Sequence, residues 1–237
     1  PDRRSHWVVL TGAGSSKESG IPTFREAQSG LWERFRPEEL ASAQGFEKDP
    51  LRVWKWYQHR RHSAERAAPH AGHRVLSWLE KTLPSLAIIT QNVDGLHQKS
   101  GTPDEQVIEL HGNASYATCL SCYKRFELDA IRAPFLQDGT IPYCDVCGGI
   151  VKTATISFGQ PMPVEEMQRA EDATLSCDLF IAAGSSLTVY PAAGFPRLAK
   201  QNGARLVIIN NQATDLDRIC DLVIHEQIGP TLSQAVD

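Results

Sequence analysis

Leu86-Ala-Ile-Ile-Thr90 runs into Gln91-Asn92-Val93-Asp94-Gly95-Leu96-His97, and Gln106-Val-Ile-Glu-Leu110 runs into His111-Gly112. Each apolar, β-branched run reads as a buried strand. One ends in an amide and carboxylate cluster, the other in an imidazole. In open α/β sheets, ligands bind beyond the carboxyl ends of the strands. These groups therefore predict a reaction centre rather than a core. Outward from here, Trp7–Thr11, Leu179–Ala183, Arg205–Ile209 and Leu222–Ile224 read as further strands. Residues 31–82 read as mostly helical, with Trp54, Tyr57 and Arg61 at helical spacing. Ala192–Gln201 predicts a helix stopped at Asn202-Gly203. Strands separated by helices predict a parallel sheet with right-handed crossovers.

The 237 residues suffice for one large domain or a domain with a small insert. A net charge of −4 gives no sign of a nucleic-acid or membrane surface. No apolar run approaches the ~20 residues of a membrane helix. Pro1–Trp7 lacks the apolar region of a signal peptide. Six cysteines in a chain this long do not suggest a disulfide scaffold, so a reduced, cytoplasmic setting is expected. No regulatory tail is expected at either short terminus, although a first residue of Pro leaves the true start open, and a monomer is expected.

Gly12-x-Gly14 after the first strand is half of a dinucleotide fingerprint, with Lys17 at the place of the third glycine. An ordinary strand-to-helix turn is the other reading of it. Gly184-Ser185-Ser186 and Asn210-Asn211-Gln212 end two further strands with groups suited to ribose and phosphate oxygens. Cys119-x2-Cys122 and Cys144-x2-Cys147, with 21 residues between the pairs, predict four thiolates closed around one structural zinc. Two disulfides or a redox pair are the alternatives. Cys177 and Cys220 are isolated and expected to be buried.

Taken in order, the motifs resemble the sirtuins over nearly the whole chain. Gly12-Ala13-Gly14, Glu18-Ser-Gly-Ile-Pro-Thr-Phe-Arg25 and Gly30-Leu-Trp32 resemble that family's N-terminal signature. Thr90–Gln98 and Glu109-Leu-His-Gly112 resemble its catalytic core. The cysteine pairs, Phe158-Gly159, Gly184–Ala193 and Ile209-Asn210 follow in the family's order. The resemblance implies an NAD-dependent protein lysine deacylase acting on acylated lysine in proteins. Its products would be nicotinamide, O-acyl-ADP-ribose and free lysine. A mono-ADP-ribosyltransferase or NAD hydrolase using the same cleft is the alternative. It implies an α/β fold, with a Rossmann-like parallel-sheet domain at 1–30, 83–113 and 155–237. A helical module at 31–82 and a zinc-ribbon module at 114–154 would complete it.

Residue by residue, the resemblance makes His111 the catalytic base, a role suited to an imidazole. A hydrogen-bonded core histidine is the plain alternative. Asn92 and Asp94 would position the nicotinamide and its ribose, with Gln91 as a ribose contact. Gly12, Ala13, Gly14, Thr23, Phe24 and Arg25 would bind cofactor, the last three from a loop that orders with it. Gly184, Ser185, Ser186, Asn210, Asn211, Gln212 and Ile228 complete that set. The substrate peptide would add as a strand between Phe158-Gly159-Gln160 and Val189-Tyr190. Tyr57 and Arg60, three apart on one helix, resemble the pair that binds acyl carboxylates in sirtuins removing succinyl and malonyl groups. Ala41 matches a residue that widens that pocket. From spacing alone Arg60 reads more readily as an exposed helix residue, and Arg61 is the rival for the role. Ser15, Lys17, Lys152-Thr153 and Gln160 depart from the family pattern. Lys17 could point to solvent or approach a phosphate.

Overall fold

The computed structural model describes residues 5–236. Pro1–Arg4 and Asp237, and the signal-peptide reading insofar as it rests on them, lie outside the described residues. Six strands form one parallel sheet: β1 (His6–Thr11), β2 (Ser85–Thr90), β3 (Val107–Glu109), β7 (Leu179–Ala183), β8 (Arg205–Ile209) and β9 (Leu222–Ile224). Their order is β3-β2-β1-β7-β8-β9. The chain winds outward from β1 to β3 and then returns to lay β7 on the other side of β1. The crevice at the carboxyl ends of β1 and β7 is therefore the switch point where such sheets bind ligands.

The strands alternate as buried strands must. Val8 and Leu10 join one core with Ile89, Ala182 and Ile208. Val9 joins the opposite core with Ile88, Ile181 and Ile209. Helices Val164–Ser176 and Phe195–Gln201 cover the first face through Ala170 and Ala199. Ala71–Thr82 and Ile228–Gln234 cover the second through Leu76, Leu79 and Leu232. The result is a three-layer α/β/α stack.

A smaller antiparallel sheet, β5-β4-β6, is built from β4 (Gly112–Cys119), β5 (Arg125–Glu127) and β6 (Val151–Thr155). Helix Leu128–Asp138 packs on it. Helix Pro50–Arg66 starts where Asp49 accepts from the Arg52 amide at 2.9 Å and Pro50 takes the first turn. Its Trp54 is fully buried against Ala117, Cys119, Phe135, Cys144 and Val151. That core joins the helical segment to the four-cysteine region. The helical segment is also tied by main chain to Phe158, three residues beyond β6. The Phe158 amide donates to the Ala41 carbonyl at 2.8 Å, and the Ala43 amide donates to the Phe158 carbonyl at 2.9 Å.

The sequence expectations meet three differences. The 192–201 helix begins as a 3-10 turn, Ala192–Gly194. Cys220 is half-buried rather than buried, while Cys177 is buried. Val164–Ser176 and Leu128–Asp138 are helices that no sequence pattern announced.

Candidate active site

A single cleft of about 1420 Å³ opens at the β1/β7 switch point. It exceeds the ~300–1,000 Å³ of most single-ligand pockets, enough for two reactants. Every residue assigned above to catalysis, cofactor or substrate lines it, from Gly12 to Ile228. The four cysteines lie elsewhere.

The glycines at its floor are there because two backbones touch. A Cβ on Gly12 would lie 2.9 Å from the Gly184 carbonyl oxygen, and one on Gly14 would lie 2.8 Å from it. The Gly14 amide donates to that carbonyl at 2.8 Å. Gly184 itself holds φ 67°, in the left-handed region. The turn Ala13–Ser19 thus crosses the end of β7 with bare backbone, leaving room for a pyrophosphate.

Asn92 stitches this turn to β2. Its amide nitrogen donates to the Gly12 carbonyl at 3.0 Å and approaches Ser15 Oγ and Ser16 Oγ at 2.9 and 3.1 Å. Only its amide oxygen remains for a ligand. Asp94 accepts from Ser16 Oγ at 2.7 Å and from the Leu96 amide at 3.0 Å. A carboxylate has about four acceptor sites, so it keeps capacity for a carboxamide. Gln91 donates to Ser185 Oγ at 2.9 Å across the end of β1. Ser16, which sequence reading passed over, belongs to this constellation. Its hydroxyl inside a glycine turn was the available signal.

His111 follows β3 and is held at both ends. The Ile156 amide donates to its carbonyl at 2.8 Å, and its Nδ1 lies 3.0 Å from the Gln91 carbonyl. A carbonyl only accepts, so Nδ1 carries the proton and Nε2 is the basic nitrogen. Burial lowers the imidazole pKa, opposed in part by the Gln91 bond. His97, by contrast, is buried at 2% exposure with Nε2 on Thr11 Oγ1 at 2.9 Å.

At the helical end both Arg60 and Arg61 line the cleft, and Arg61 is the one held in ion pairs. Arg61 is engaged by Glu65 and by Asp129 at 2.8 Å. Arg60 stacks over Phe24 at 4.5 Å, and burial lowers its pKa to about 10. Burial also pushes the Tyr57 phenol up to about 12, against the hydroxyls of Thr153, Thr155 and Ser157 gathered around it. Lys17 lies at the exposed edge of the cleft and pairs with Glu26. Where the peptide strand is expected, both main-chain groups of Phe158 are spent on Ala41 and Ala43. The unspent amide next to it is that of Gly159.

The thiols of Cys119, Cys122, Cys144 and Cys147 lie within 4.8 Å of one another. Amides of Ser121, Val146 and Gly149 point at three of the sulfurs at 3.3–3.4 Å. Such knuckles neutralise part of a thiolate's charge, so the donor set fits one tetrahedral zinc with no open position. Chelation should therefore unfold this region. We expect release of one zinc per chain, a lower melting temperature and a red shift in Trp54 fluorescence. An unchanged Trp54 signal after zinc loss would remove the metal from the fold's support.

The sheet order, the glycine crossing and the appended tetrathiolate define a nucleotide-binding α/β enzyme with a structural metal module. The Sir2 family model matches residues 12–191. An NAD-dependent protein deacetylase of Rhodopseudomonas palustris is 50% identical over 97% of this chain and 90% of that protein. An NAD-dependent protein deacylase of Aquifex aeolicus is 41% identical over 97% of this chain and 93% of its own. A solved Sir2 homolog–NAD complex superposes with a TM-score of 0.88 at 39% identity, covering 99% of this chain and 89% of that one. A Sir2–p53 peptide–NAD+ structure gives 0.87 at 31% identity, covering 98% and 92%. The chain belongs to the Sir2 family. Among the described residues, no helix is long and apolar enough to cross a membrane.

Proposed function

We propose that this chain is an NAD-dependent protein lysine deacylase that removes acetyl groups and also succinyl or malonyl groups. The observation that carries this reading is the convergence of the glycine crossing, His111 and the Tyr57–Arg60 pair on one cleft. Relatives over nearly the full length, named as deacetylases and deacylases, support it. Bound NAD would supply an electrophilic ribose carbon once its nicotinamide leaves. Gly12, Gly14 and the Gly184–Ser186 turn would hold its phosphates and ribose. Asn92 would offer its amide oxygen to a ribose hydroxyl, and Asp94 would accept the carboxamide N–H. His111 Nε2 would take the proton of a ribose hydroxyl, while its Nδ1–H keeps donating to the Gln91 carbonyl. The peptide would pair with Gly159 and Val189 as an added strand, a contact tolerant of sequence. Thr23, Phe24 and Arg25 would close over the cofactor, excluding water.

Incubation with NAD and an acetyl- or succinyl-lysine peptide tests this by mass spectrometry. O-acyl-ADP-ribose is the expected product. ADP-ribosylated protein or free ADP-ribose in its place would sink the deacylase reading in favour of a transferase or an NAD hydrolase. The acyl preference has its own test. Arg60→Met is expected to abolish desuccinylation, because a carboxylate would lose its charge-assisted partner, and to leave deacetylation largely intact. Equal loss of both activities would remove Arg60 from carboxylate binding.

A further inference from the structure

The segment between the glycine turn and Leu31 has few polar ties to the rest of the molecule. It closes on itself. The Gly30 amide donates to the Glu26 carbonyl at 2.7 Å, the Leu31 amide to the Thr23 carbonyl at 2.9 Å and the Trp32 amide to the Phe24 carbonyl at 3.0 Å. Gly30 is required there, since a Cβ would lie 2.6 Å from the Phe24 carbonyl oxygen and 2.7 Å from the Glu26 amide nitrogen. The Phe24 ring packs beside Trp32 and under Arg60. Residues 22–26 line the cleft. Among the described residues, the stretch 22–29 finds a single hydrogen-bonding or ionic partner outside 22–32, and it is Lys17.

Lys17 belongs to the turn Ala13–Ser19, which crosses the end of β7. Its ammonium donates to the Glu26 carboxylate. The same carboxylate accepts from Ser29 Oγ at 2.9 Å and from Thr23 Oγ1 at 3.3 Å, so the loop itself orients it. The Lys17 bond, and then that of Ser29, hold the Glu26 carboxyl below its ordinary range, and it is charged at neutral pH. An exposed pair of this kind adds little to the stability of a whole domain. A loop that either covers a ligand or swings clear is a different case, because a small bias shifts its populations. The pair joins the two parts assigned to the cofactor, the glycine turn and Thr23-Phe24-Arg25. Lys17 departs from the family pattern, so this tie is not one that the family resemblance supplies.

We propose that Lys17 and Glu26 are positioning residues for NAD: their ion pair latches the 22–29 loop to the glycine turn in its cleft-lining arrangement, so that the cofactor site is closed before NAD arrives. The inference rests on the use of NAD by this cleft and not on which acyl group is removed. Neither side chain touches the reacting atoms. Apparent affinity falls in proportion to the fraction of molecules whose loop is in place. Breaking the latch lowers that fraction and leaves the chemical step at His111, Asn92 and Asp94 as it was. The rival role for Lys17 is a direct contact with a cofactor phosphate. It makes the opposite prediction for Glu26, because loss of the carboxylate would release the ammonium to the phosphate.

The test measures NAD binding by titration calorimetry, deacetylation kinetics, and trypsin cleavage after Arg25. It compares wild type, Lys17→Met, Glu26→Gln, the double variant Lys17→Met/Glu26→Gln and the swap Lys17→Glu/Glu26→Lys. Loss of an exposed ion pair predicts a rise of about two- to fivefold in NAD Kd and KM for each single variant, with kcat held within about twofold and the melting temperature unchanged. The double variant should bind no more weakly than either single one, and the swap should recover most of the affinity. Without NAD, trypsin should cut after Arg25 faster in Lys17→Met than in wild type, and saturating NAD should protect both. Tighter NAD binding by Glu26→Gln overturns the latch in favour of the phosphate contact. An unchanged NAD Kd in both single variants overturns it too, as does a loss in the double variant equal to the two single losses combined. A wild type that binds no NAD overturns the cofactor reading and the latch with it. One that binds NAD but deacylates no peptide overturns the deacylase reading alone, and the calorimetric comparison still decides the latch.

Discussion

His111→Ala is expected to lower deacylation turnover by about 10²–10⁴-fold, the range for a positioned general base. The ring makes one hydrogen bond, Nδ1 to the Gln91 carbonyl at 3.0 Å, so the fold should survive its loss and the melting temperature should change little. The Gln91 carbonyl fixes the tautomer, and removal of the ring removes the only basic nitrogen that β3 delivers to the cleft. The pH dependence follows from burial, which depresses the imidazole pKa below 6.5. A base works unprotonated, so the acid limb of kcat/KM should fall below pH 6.5, and activity should hold flat through neutrality. A variant retaining more than about a tenth of wild-type turnover, or an acid limb above pH 6.5 in the wild type, would take His111 out of this role.

Below about pH 6 the protein itself should begin to fail. His73 and His97 are each 2% exposed, with ring centroids 5.0 Å apart and the rings tilted 58° to one another. Both nitrogens of His73 and Nδ1 of His97 lack partners. Burial lowers His73 to about 3 and His97 to about 4. The native state therefore holds both rings neutral, while the unfolded chain takes up a proton at each near pH 6.5. Stability is complete above pH 6.5 and declines as pH falls toward 4. The loss is about 1.4 kcal/mol per pH unit for each ring. Two units of acid thus remove about 5 kcal/mol, comparable with the ~5–15 kcal/mol of a whole domain. The exposed carboxylates with lowered pKa, Asp138, Asp145 and Asp221, titrate below this window. Denaturant melts at pH 7 and pH 5 measure the effect, and His73→Leu should move the acid midpoint downward. An acid midpoint unmoved in that variant would exclude His73 as its source.

The large sheet was legible because its strands are short apolar runs bounded by polar groups, from Trp7–Thr11 to Leu222–Ile224. Their two-sided burial leaves little else for such runs to be. The smaller sheet was not. β5 has only three residues, and helix Leu128–Asp138 carries Pro134 in its interior. These elements owe their form to the Trp54 core and the four thiols, and not to local pattern. Helix Val164–Ser176 buries only Ala170 and Thr174, a stripe too narrow to register as amphipathic. In the site, motif residues converge on one cleft, but their division of labour was hidden. Spacing could not separate Arg60 from Arg61, because the ion pairs that hold Arg61 to Glu65 and Asp129 come from tertiary contacts. Nor could it show Lys17 held by Glu26.

The main-chain bridge between Phe158 and Ala41–Ala43 has a consequence for engineering. Acyl choice is proposed to reside on the Pro50–Arg66 helix and peptide placement on the strand leaving β6. Two hydrogen bonds of 2.8 and 2.9 Å weld these parts side by side. A graft that exchanges the 31–82 segment for a relative's, to change which acyl group is removed, will drag the groove along with it. The two specificities are not separable cassettes; a transplant must carry residues 41–43 together with 156–160, or it will trade one preference for the loss of the other.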